Sequence, residues 1–139
     1  MSGGPKEINA ELIGRLPDEG PVVMVNLVRY RDRAEYKRYS ELTMPLIKQR
    51  GGTVLWAGNA EGVAFGASEE NRWDYVVLVR YPSRAAFLDM MASPEYARAN
   101  AHRERGLEKH VIIAASETYS KLKPDPIRTV TPWYIPAGT

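Results

Sequence analysis

The stretch from Pro21 to Arg31 reads Pro-Val-Val-Met-Val-Asn-Leu-Val-Arg-Tyr-Arg, and its reading decides the fold. Val23, Val25 and Leu27 alternate with Val22, Met24 and Val28, so a strand built here is apolar on both faces. Such a strand belongs in the middle of a sheet, with something covering each side. Asn26 is the single polar residue inside the run. A buried amide must find hydrogen-bond partners or cost about 1–3 kcal/mol, so Asn26 is either tied to backbone within the sheet or aimed at a ligand.

Working outward, Asp32 is a helix N-cap with Glu35 at capping-box spacing, and Tyr36, Tyr39, Thr43, Leu46 and Ile47 form an inward stripe. Gly51-Gly52 stops that helix, and Pro45 inside it predicts a kink. Thr53 to Gly58 and Trp73 to Tyr81 read as strands, separated by a Gly-interrupted loop over Asn59 to Asn71. Pro82-Ser83 opens a helix running through Met91, and Ser93-Pro94 opens another that ends at Gly106. Lys109 to Glu117 is the fourth strand. On the N-terminal side, Asn9 caps a short helix over Ala10 to Leu16 with Leu12, Ile13 and Leu16 on one side.

The order βα, β, β, αα, β predicts an α+β, ferredoxin-like protomer: a four-stranded antiparallel sheet with helices on one face. Helices on one face leave the other face of a doubly apolar strand exposed, and a patch of that size marks an interface. The simplest cover is a second copy, sheet against sheet, as a homodimer forming an α/β barrel. The expected organisation is a lead-in over 1–20, the ferredoxin-like domain over 21–117, and a Pro-rich tail over 118–139 whose Trp133 and Tyr134 pack on the partner or over a pocket mouth.

The 139-residue chain has the size of one domain, and 19 Lys and Arg against 17 Asp and Glu leave a net charge of +2. The basic residues are scattered, so no nucleic-acid footprint is expected. With no cysteine, disulfides, thiolate metal sites and thiol catalysis are excluded. Two histidines and no metal-binding spacing predict no metal, and no dinucleotide, phosphate-loop or nucleophile-elbow motif predicts a cofactor. No run reaches the length that spans a bilayer, and no signal segment opens the chain, so no membrane contact and a cytoplasmic setting are expected.

Residues 21–117 resemble the DUF1330 family of the dimeric α/β-barrel superfamily. The resemblance is carried by Val22-Val23-Met24-Val25-Asn26-Leu27, by Tyr36, Tyr39 and Pro45-Leu46, and by Gly51-Gly52. It continues through Val76 to Pro82-Ser83, Ala86-Phe87, Ser93-Pro94-Glu95-Tyr96 and Arg103. It implies a ferredoxin-like protomer that pairs into a barrel. The wider superfamily includes cofactor-free monooxygenases, haem-degrading enzymes, isomerases and plain binders, and fold does not choose among them. Some of its monooxygenases are similar in having an Asn on the first strand with Trp, Arg or His nearby. Trp56, Trp73, Arg80 and His102 are available here for that role.

The candidate ligand-binding residues are therefore Asn26, Trp56, Arg80, Tyr96 and Arg103. Tyr96 and Arg103 lie seven residues apart on one helix and point the same way, which sets a guanidinium beside a phenol, fit for a small carboxylate. The alternative for Arg103 is a side chain snorkelling from the dimer edge or pairing with Glu95 or Glu104. His102 is read as a surface residue, and His110 as either surface or site. Three functions follow: a small-molecule-binding homodimer for a hydrophobic or carboxylate ligand, a cofactor-free monooxygenase or isomerase for a small aromatic or polyketide-like compound, and a non-enzymatic structural or stress-related dimer.

Overall fold

The computed structural model describes residues 7–16, 18 and 20–122. The elements are α1 (Ala10–Arg15), β1 (Val22–Tyr30), α2 (Arg33–Gln49), β2 (Thr53–Asn59), β3 (Tyr75–Tyr81), α3 (Arg84–Met91), α4 (Pro94–Gly106) and β4 (Leu107–Ala115). The four strands form one sheet in the order β2-β3-β1-β4, all pairs antiparallel. This is the ferredoxin-like arrangement, with β1 central as its doubly apolar sequence requires.

Local chemistry explains the element boundaries. The Asp32 side chain accepts from the amides of Ala34 and Glu35, Ser83 from Ala86, and Ser93 from Tyr96, with Pro94 in the first turn behind it. The α2 helix runs unbroken through Pro45. It ends where Gly51 takes φ +75, a left-handed conformation that the missing Cβ permits, and the Gly52 amide turns back to the Ile47 carbonyl at 2.8 Å. Three expectations are corrected. The Asn9 side chain makes no capping bond to α1. Glu35 does not close a capping box, because the Asp32 amide is already taken by the Gly106 carbonyl at 3.0 Å. The fourth strand begins at Leu107, directly after α4, rather than at Lys109.

The core lies between sheet and helices. Val22, Met24 and Val28 of β1, with Tyr75, Val77, Val79 and Tyr81 of β3, meet Tyr36, Leu46 and Ile47 of α2, Phe87, Met90 and Met91 of α3, and Tyr96 of α4. Burying such a side chain contributes roughly 1.5–3 kcal/mol each before chain entropy is counted. Aromatic edges add direction, as where Tyr81 meets Phe87 edge-on at 5.3 Å between ring centroids. The other sheet face carries the alternate residues. Val25 pairs with Leu78 and Ile113, and Leu27 with Val76 and Val111. Among the described residues no helix covers this face, and Ile113 and Trp56 are exposed at 51% and 47%. The expected packing of Trp133 and Tyr134 lies outside the described residues.

The loop between β2 and β3 is spliced onto β1 by Asp74. Its amide donates to the Val28 carbonyl at 2.7 Å, and its Oδ2 accepts from the Tyr30 amide at 2.8 Å. Trp73 beside it receives Lys109 Nζ 4.9 Å from its ring centroid and the Arg29 guanidinium at 5.8 Å.

Candidate functional site: an apolar cavity ending on a buried arginine

A cavity of about 340 Å³ opens between α1, the β1–β4 side of the sheet, α3 and α4. Its walls are mostly aliphatic, with Leu12 and Ile13 from α1, Met24 from β1, Met91 from α3, and Ile112 and Ala114 from β4. Phe87 and Tyr96 supply its aromatic surface, and its polar end is made by Arg103, His110 and Glu7. The volume falls at the small end of ligand sites, and the balance of apolar wall to few polar groups is typical of them.

The polar end is one chain of hydrogen bonds. Arg103, buried on the inner face of α4, donates from Nε to Asn100 Oδ1 at 2.7 Å, from Nη1 to His110 Nδ1 at 3.1 Å and from Nη2 to Glu7 Oε1 at 3.1 Å. A guanidinium only donates, so His110 Nδ1 must accept, and the imidazole proton sits on Nε2. Nε2 then donates to Asn26 Oδ1 at 3.0 Å. The Asn26 amide nitrogen in turn donates to the Met24 carbonyl at 3.1 Å and the Val77 carbonyl at 3.4 Å. Every link has one donor and one acceptor, which fixes both the amide orientation and the histidine tautomer. Burial, and then the adjacent Arg103 charge, hold the His110 pKa down at about 3, so the ring is neutral at physiological pH.

Tyr96 closes the cavity beside Arg103, and its hydroxyl meets that of Tyr39 at 2.9 Å. Burial raises both phenols, so both stay protonated.

Asn26, Tyr96 and Arg103 are thus brought to one place. Tyr96 and Arg103 line the cavity, whereas Asn26 stands one step behind it, reaching it through His110. Trp56 and Arg80 are elsewhere. They pair with Leu78 and with Val23 and Thr53 on the uncovered sheet face, so they do not join this cavity. His102 faces α2 rather than the site: its Nδ1 donates to Glu35 Oε1 at 2.7 Å, to which Arg105 Nε also donates at 3.3 Å. That hydrogen bond from His102 holds the Glu35 pKa below the usual carboxylate range. Arg103 pairs with Glu7, not with Glu95 or Glu104. Among the described residues, no group of His, Asp and Glu is placed to hold a metal ion, and no helix is long and apolar enough to cross a membrane.

Residues 21–117 match the family model described as a domain of unknown function, DUF1330. The chain belongs to the DUF1330 family. Protein RPA0582 of Rhodopseudomonas palustris, of unknown function, is 30% identical to this DUF1330 chain with a TM-score of 0.76, covering 86% of this chain and 98% of that one. More distant structures share the fold alone. A candidate antibiotic biosynthesis monooxygenase from Bacteroides thetaiotaomicron is 17% identical (TM-score 0.50), with 76% of this chain and 96% of that one covered. A dimeric protein of unknown function with a ferredoxin-like fold from Bacteroides fragilis is 13% identical (TM-score 0.50), with 73% and 100% covered. No curated protein matches the chain.

Among the described residues of the DUF1330 cavity, the groups able to take a proton from a ligand, Glu7 and His110, are both bonded to Arg103. A general base needs a lone pair aimed at its substrate.

Proposed function

We propose that this protein is a homodimeric binder of a small, largely apolar molecule, held in the cavity between α1 and the β1–β4 edge. The observation that carries this reading is a 340 Å³ aliphatic space that terminates on a buried, hydrogen-bonded guanidinium. Residues 21–117 form the working domain, and the lead-in contributes the outer wall through Leu12 and Ile13. Ala114 lines the cavity from β4, next to Met24 in the register. An Ala114→Phe substitution fills the space without touching the polar end. It is expected to abolish binding of 1-octanol, followed by calorimetry, while the melting temperature holds or rises. Undiminished binding places the ligand elsewhere.

The homodimer rests on the uncovered sheet face. Val25, Leu27, Val76, Leu78, Val111 and Ile113 form a continuous apolar surface across three strands. A dimer that lays this face on its copy removes the patch from water and closes the barrel. The dimeric Bacteroides fragilis protein shares the fold, which supports the same solution here. Leu27→Asp puts a charge at the centre of that face. Light scattering is expected to read a dimer for the native chain and a monomer for the variant; a native monomer sinks the assembly.

A further inference from the structure

We infer that the natural ligand is a small monocarboxylic acid with an apolar body, and that its carboxylate takes the place of Glu7 on Arg103. This rests on the cavity reading above.

Two of the three guanidinium nitrogens of Arg103 are held from within the family domain, by Asn100 and His110. The third is held by Glu7, which precedes that domain. The pair is lopsided. The Arg103 side chain is 9% exposed and that of Glu7 is 63% exposed. A buried cation needs a countercharge, whereas an exposed carboxylate loses little by returning to water. An incoming carboxylate therefore replaces Glu7 with no change in the charge of the site. Nη2 then donates to the ligand instead, and a planar guanidinium suits carboxylate recognition.

The rest of the cavity selects the body of that acid. Its walls are Leu12, Ile13, Met24, Met91 and Ile112, with Phe87 at one side. These side chains are apolar; the other polar side chains of the lining are Asn9 and Tyr96, whose hydroxyl is already bonded to that of Tyr39. The polar groups beyond Arg103, His110 and Asn26, already satisfy each other. No residue of α1 is buried, so this helix covers the cavity as an outer wall instead of a core element. Glu7, just before it, occupies the carboxylate position when no acid is bound.

The test is titration calorimetry of the full chain, native and Glu7→Gln, with sodium octanoate and 1-octanol as probes. The two share a tail and differ in the head group. Removing a competing carboxylate of exposed ion-pair strength is expected to raise the octanoate-to-octanol affinity ratio about threefold to fivefold. An unchanged or lower ratio, with octanol still bound, overturns the exchange and leaves the cavity reading standing. Failure of both probes on both chains overturns the cavity reading and the exchange with it.

Discussion

Gly106→Ala is expected to lower the melting temperature by about 3–12 °C, read by circular dichroism or calorimetry, because α2 and α4 cross at this residue without room for a side chain. A Cβ built on Gly106 would sit 2.7 Å from the Tyr36 amide nitrogen and 3.1 Å from the Asp32 carbonyl oxygen. Both are backbone atoms, so no rotamer relieves the contact. The helices must separate, and overpacking of this kind costs roughly 1–3 kcal/mol. In a domain of this size each kcal/mol moves the midpoint by about 3–4 °C. Separation also strains two backbone bonds into the Gly106 carbonyl, from the Arg31 amide at 2.8 Å and the Asp32 amide at 3.0 Å. These bonds hold the chain that leads into α2. A midpoint within 2 °C of the native chain would show that the crossing relaxes freely.

The same crossing shows how far the sequence could be read. Gly106 is legible as a helix stop, since glycine after a periodic run commonly marks one. Its part in the α2–α4 contact is not, because that contact joins segments seventy residues apart. The framework as a whole follows from local signals. The double apolar alternation of β1 demands a central strand, and Asp32, Ser83 and Ser93-Pro94 each punctuate a helix that the structure starts there. Spacing also places Tyr96 and Arg103 on the same side of α4. By contrast, the role of Glu35 depends on the arrival of His102 and Arg105 from α4, so a capping box was the natural local reading and tertiary contact displaced it.

The site was only partly legible for the same reason. Asn26 stands out because an amide in an apolar strand needs partners. Its partner His110 begins the visible apolar run of β4, where a strand-end residue reads equally well as exposed. Its alternation with Ile112 and Ala114, once β4 is extended back to Leu107, puts it on the helix-facing side. That extension was hidden because the strand follows α4 without a loop. Glu7 could not be found at all, since an exposed acid in a lead-in segment carries no pattern. Trp56 and Arg80 are residue types suited to a pocket, but pairing to Leu78 and Val23 puts them on the other face of the sheet.

His110 makes the second large prediction, a loss of stability as pH falls from 7 to 5. Its folded pKa, about 3, lies below the 6.5 of an unperturbed imidazole. Between those values the unfolded chain binds a proton that the folded chain refuses, so stability is full above pH 6.5 and falls as pH drops toward 3. Burial accounts for most of the refusal and the adjacent Arg103 charge for the rest. Arg103 donates to Nδ1 from α4 and Asn26 accepts from Nε2 from β1, so a second proton on Nδ1 would face the Arg103 guanidinium directly. At about 1.4 kcal/mol per unit, the decline from pH 6.5 to 5 amounts to roughly 2 kcal/mol. Most carboxylates titrate below that window, and Glu35, held low by His102, contributes stability that is lost only at still lower pH. Urea unfolding at pH 7, 6 and 5 measures the slope. His110→Gln, which keeps an amide donor toward Asn26 and cannot titrate, is expected to start less stable and to show a nearly flat profile. An equal slope in both chains would assign the pH dependence to another group and show that His110 protonates freely, which requires Arg103 to have moved away from its Nδ1.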